Sequence, residues 1–149
     1  STQGYSSAAS DVYKRQPLMY ASRLIDEMKF EEAYEKFREL YDHKSDIIQL
    51  YGNEIACELA FCALVTGRKE QADELLDSKL LKYIEAYKKV MSSKLRILCA
   101  IALCLDNDRT KAEDIYRSLS SNQEKYLLQG EVKSDLAIMD WMLNEYTQP

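Results

Sequence analysis

Three short runs constrain this chain more than anything else in it: Met28-Lys-Phe-Glu-Glu-Ala33, Gly67-Arg-Lys-Glu-Gln-Ala72 and Asn107-Asp-Arg-Thr-Lys-Ala112. Each reads as the end of one helix and the start of the next. Their alanines fall at 33, 72 and 112, at intervals of 39 and 40 residues, a period characteristic of stacked helical hairpins. Twelve residues before each stands another alanine, at Ala21, Ala60 and Ala100, and four residues after each comes a large apolar side chain, at Phe37, Leu76 and Tyr116. Leu24, Ala63 and Leu103 repeat nine residues before. Two helices joined by a tight turn cross closely, and the closest point tolerates only a methyl group on each side. The large residue one turn later then fills the wedge toward the next hairpin, while acidic residues at 31, 32, 35, 70, 74, 113 and 114 keep the outer face wet.

The remaining pattern agrees with an all-α chain. Only four Gly and two Pro occur among 149 residues, and Pro17 and Pro149 lie at the edges, so nothing interrupts long helices between them. The helical period predicts segments over about 17–28, 30–42, 46–66, 69–88 with a break near Asp77-Ser78, 92–106, 109–120 and 131–146. Ser45, Ser78 and Ser92 or Ser93 are candidate N-caps, and Gly67 and Asn107 candidate left-handed C-cap residues. This gives one domain over 17–149, with repeats at about 17–45, 46–90 and 91–120, a linker at 121–130 carrying at most one helical turn, and a capping helix at 131–146. Residues 1–16 are Ser-rich without hydrophobic period and are expected to be disordered or non-native. Their Asp11 to Gln16 end resembles the damaged chain ends produced by sequence assembly, which implies a missing natural N-terminus together with any membrane anchor on it.

The spacing of these residues resembles the tetratricopeptide repeat, which pairs a small residue late in its first helix with an alanine twelve positions on and an aromatic four further. The resemblance covers residues 17 to about 120. It implies an α-α superhelix of three hairpins plus a C-terminal capping helix, and a non-catalytic role in holding a protein or peptide. The family's early tryptophan is replaced by Pro17, Ala56 and Arg96, its closing proline by Ser45, Ile84 and Glu124, and the period exceeds the family's 34 by five or six residues. A HEAT-like pairing, with its period of 40 or more, is the alternative.

In the resembled family the first helix of each hairpin lines a concave groove. Carried over position by position, that groove would present Leu18, Ser22 and Ile25, then Cys57, Phe61, Leu64 and Val65, then Ile97, Ile101, Cys104 and Leu105. Nearly all are apolar, and the basic residues with which some members clamp an acidic peptide terminus are missing, so that mode of recognition is not expected. Two occupants remain open: residues 131–146 folding back on Val132, Leu136, Met139, Leu143 and Tyr146, with Ile138, Trp141 and Met142 beside them, or an apolar or amphipathic segment of another protein. The second makes the chain an interaction scaffold, the first a structural piece of a longer repeat protein.

Other classes find little support. A net charge of −5 and a pI near 5.0, without a basic patch, argue against nucleic acid. The longest uninterrupted apolar runs fall short of a bilayer span. Cys57, Cys62, Cys99 and Cys104 lie in apolar helical stretches at a five-residue spacing that suits neither zinc nor a disulfide framework, so buried thiols in a reducing cytoplasm are expected. His43 sits in a connection without a cysteine or serine arrangement to meet it, and Asp106-Asn107-Asp108 lacks the glycine and glutamate of a calcium loop. No cofactor, metal or catalytic constellation is expected. Of the eleven tyrosines, Tyr34, Tyr41, Tyr83, Tyr87 and Tyr116 are read as packing residues between helices.

Overall fold

A left-handed residue lets a helix end and the chain reverse without loss of backbone hydrogen bonds, and one stands at the same point of all three repeats: Met28 (φ 60°), Gly67 (φ 81°) and Asn107 (φ 50°). The computed structural model describes residues 2–43, 46–125 and 129–146, and over these it is all-α, with eight helices and no strand. They are α1 (Thr2–Asp26), α2 (Phe30–Asp42), α3 (Asp46–Val65), α4 (Lys69–Leu75), α5 (Ser78–Tyr87), α6 (Ser92–Cys104), α7 (Arg109–Ser121) and α8 (Gln129–Asn144), with a single 3-10 turn at Gln123–Lys125 in the linker. The reversals are closed alike: the Lys29 amide donates to the Leu24 carbonyl at 2.8 Å and the Arg68 amide to the Ala63 carbonyl at 2.7 Å. The third is one residue wider, with the Asp108 amide donating to the Ala102 carbonyl at 2.7 Å.

The six alanines of the repeat frame are all sealed: Ala21, Ala33, Ala60, Ala72, Ala100 and Ala112 expose no surface at all. α1 packs on α2, α3 on α4 and α6 on α7, while α2 also packs on α3, and α3 on α6. Phe37 is completely buried, whereas its counterparts Leu76 and Tyr116 are half-buried. The second repeat is the irregular one. Its return helix stops after seven residues at Leu75, and a new helix starts behind Asp77, whose carboxylate accepts from the Leu80 amide at 2.8 Å.

Several sequence expectations need correction. The N-cap of α5 is Asp77 rather than Ser78, because a carboxylate accepts the orphan amide more strongly than a hydroxyl. The N-cap of α6 is Met91, and Ser92 is its first helical residue, with its hydroxyl turned to Asp135 instead of to the helix end. Ser45 lies outside the described residues. The backbone is helical from Thr2 and runs through Pro17, where the period predicted the first helix to begin. Ala, Gln, Lys and Arg there favour helix without supplying an apolar stripe, so periodicity could not register it. Tyr41 and Tyr87 are exposed rather than buried between helices, the Tyr87 ring lying 4.8 Å from that of Tyr83, while Tyr34, Tyr83 and Tyr116 are half-buried. Within α3 the window Ile48–Val65, with mean hydropathy 1.2, is long and apolar enough for a membrane span by composition; half of it is buried in the fold.

Candidate functional site

Seven of the eleven groove residues read from the sequence belong to the core: Ile25, Cys57, Phe61, Leu64, Val65, Ile97 and Cys104 are buried, and Leu18, Ser22, Ile101 and Leu105 half-buried. As an open apolar surface the expected groove does not exist. α8 contributes to that burial, packing on α6 and α7 and touching α1. Val132, Ile138, Met139 and Met142 are buried on it, and its Trp141 ring lies 5.0 Å from that of Phe30, which in turn meets Phe61 edge-on at 5.8 Å. The Tyr146 hydroxyl donates to the Leu64 carbonyl at 3.3 Å, and the Arg109 guanidinium donates to the Leu143 carbonyl.

What stays open is a cleft of about 570 Å³ between α1, α3 and α6, and two of the expected residues, Leu18 and Ser22, line it. Its walls carry Arg15, Met19, Arg23 and Tyr51, with the Arg15 guanidinium 5.5 Å from the centre of the Tyr51 ring. Its base is charged. Lys94, with no side-chain exposure, donates to both carboxylate oxygens of Glu54 at 3.0 and 2.9 Å, and the Tyr83 hydroxyl donates to the same carboxylate. Arg96 donates to Glu58 through Nη2 and to Asp135 of α8 through Nη1 at 2.8 Å, and the Ser92 hydroxyl donates to Asp135. The Arg96 guanidinium also lies 4.5 Å from the centre of the Phe61 ring, and its Nε finds no partner among the described residues.

These groups follow the repeat. Arg15, Glu54 and Lys94 occupy one frame position, 39 and 40 residues apart, so the charge alternates in sign over the three first helices, and Glu54 and Lys94 face each other. Desolvation governs the electrostatics. Burial pushes the Glu58 carboxyl up, against the pull of Arg96 and Lys94 and helped by Glu54 and Asp135. Asp26, at the cleft edge, is raised by burial and by Asp135 and Glu27, against Arg96. For Arg96, burial opposes the charge, and the carboxylates of Glu58 and Asp135 outweigh it.

The four cysteines are free, buried thiols, with burial pushing Cys57 and Cys99 up to about 12. Cys99 donates weakly to the Ala112 carbonyl at 3.8 Å, across the third hairpin. His43 is exposed at the end of α2, and Asp108 is the N-cap of α7, accepting from the Lys111 amide at 3.0 Å. Among the described residues no three Cys, His, Asp or Glu side chains gather for a metal.

Lys94, Arg96, Glu54, Glu58 and Asp135 were missed as site residues. A signal existed: Glu54 and Glu58 stand four apart in an otherwise apolar stretch of α3, opposite in sign to Lys94 at the matching position one repeat later. Comparison with protein-family models, with curated proteins and with solved structures returns no match for this chain.

Proposed function

We propose that this chain is a non-catalytic, tetratricopeptide-like protein-interaction module whose partner segment enters the cleft between α1, α3 and α6. The observation that carries the reading is that this cleft is lined by the first helices of all three repeats, the face on which the resembled family binds peptides, and that it stays open although α8 reaches its base with Asp135. Its exposed and half-exposed apolar groups, Leu18, Met19, Tyr51 and Met91, alternate with charge, which suits an amphipathic protein segment better than a uniformly apolar one. The four shielded thiols fit a reducing, cytoplasmic setting. No cofactor and no nucleic acid enter this reading.

A second reading has one specific observation in its favour. α8 through Trp141, and Tyr146 just beyond its end, cover the apolar half of the groove, as a self-filled structural piece of a longer repeat protein would require. Photo-crosslinking separates the two. A probe at Met19, which is 53% exposed, should capture a discrete protein, and Ser22→Arg in the cleft should abolish that capture, while a probe at exposed Glu70 should not capture the same protein. Identical capture from both positions, or none from Met19, discards the interaction reading and leaves the structural one.

A further inference from the structure

We propose that the cluster joining Glu58, Arg96 and Asp135 is a pH-sensitive latch on α8, closing as the pH falls and loosening as it rises. The geometry starts from a mismatch of charge. Around Asp135 stand carboxylates from two other elements, Asp26 on α1 and Glu54 and Glu58 on α3, and among the described residues the buried cations are Lys94 and Arg96 on α6. Lys94 is ion-paired with Glu54, so Arg96 is the direct ion-pair partner of both Glu58 and Asp135, with Lys94 acting on Glu58 only from a distance. Their side chains are only 12% and 4% exposed, so water cannot screen the repulsion between them.

Asp135 is the member of this cluster that α8 supplies, and Ser92 and Arg96 are its partners. When α8 docks, Glu58 and Asp26 gain a like charge nearby, that of Asp135. A proton on either carboxyl relieves that repulsion while Arg96 keeps Asp135. Both carboxyls are raised in the docked state, Glu58 and Asp26 alike by burial first. The sign follows from linkage: a carboxyl raised by docking binds its proton more tightly there, so docking gains as the pH falls through the raised value and loses as the pH rises. The other ionisable groups facing the cluster are Arg15 and Arg23 at the cleft wall, Glu27, Tyr83 against Glu54, and the thiols of Cys57 and Cys62, both pushed upward by burial and so neutral throughout. The single histidine, His43, belongs to the end of α2 and not to the cluster.

Hydrogen exchange of the full chain between about pH 5 and about pH 8, corrected for intrinsic rates, tests the latch. Protection of the α8 amides should rise several-fold as the pH falls, with a ceiling of about tenfold per unit of carboxyl shift, while α6 and α7 stay constant. Emission from Trp141, the only tryptophan and a residue of α8, should move to shorter wavelength in step. Glu58→Gln should flatten both responses, and Asp26→Asn, at an exposed site that does not threaten folding, should make them shallower. His43→Gln should change nothing. A flat wild-type profile, a parallel change in every helix, or a slope that survives both carboxyl substitutions overturns the latch. If Glu58→Gln does not fold, an unaltered slope in Asp26→Asn overturns it alone.

Discussion

Between α2 and α3 the hairpins meet through apolar rings, with Phe30 against Phe61, whereas between α3 and α6 they meet through Glu54 on Lys94 and Glu58 on Arg96. The apolar seam is non-directional and answers to volume. The charged seam has fixed donors and acceptors and answers to the loss of any one member, because a buried charge without its partner costs far more than the pair contributes. The two seams also sit beside different neighbours. The charged one coincides with the irregular second repeat, where the return helix breaks at Leu76-Asp77 and α5 supplies Tyr83 to cover Glu54.

The sharpest way to break this contrast is Arg96→Met. It strands Glu58 and Asp135, and denaturant unfolding should show a loss of about 3–5 kcal/mol. Adding Glu58→Leu, Asp135→Leu and Ser92→Ala should recover most of that loss, since an apolar replacement of the whole buried set removes the orphaned charges together. Failure to recover would mean that the charged seam stabilises the chain rather than merely tolerating its own burial.

A second test enlarges a hairpin crossing instead of a seam. Ala60→Leu puts a branched side chain where no surface is exposed, and the unfolding midpoint should fall by the equivalent of about 1–3 kcal/mol. Phe30→Leu, at the apolar seam, should cost less than about 1.5 kcal/mol, because a ring can be replaced by a similar volume without stranding a polar group. A loss as large as that of Arg96→Met would erase the distinction between the seams. The smallest effect is a gain: Met28→Gly relieves a left-handed backbone at a β-carbon-bearing residue and should raise thermal stability by up to about 1 kcal/mol.

Much of the architecture was legible because it depends on period. The alanine frame located all three reversals, and Gly67 and Asn107 announced their left-handed backbone by residue type. Met28 did not, since methionine carries no such preference, yet its place 39 residues before Gly67 held the answer. Which occupant covers the groove was not legible, for a different reason. Helical spacing says which residues share a face, but α3 and α6 are buried on several faces at once, so Phe61 and Ile97 read the same whether a partner or α8 covers them. The charged residues were passed over because charges are ordinarily placed in solvent. Only the matching of Glu54 with Lys94 across one repeat could have shown that these two face each other.

The burial of all four native thiols has a practical side. Reagents that attack thiolates will find none of these sulfurs in the folded chain, so a cysteine introduced on the outer surface of α8 and another on α2 can carry dyes or spin labels without removing any native residue. Distances between such labels would follow the C-terminal helix in an otherwise unaltered molecule.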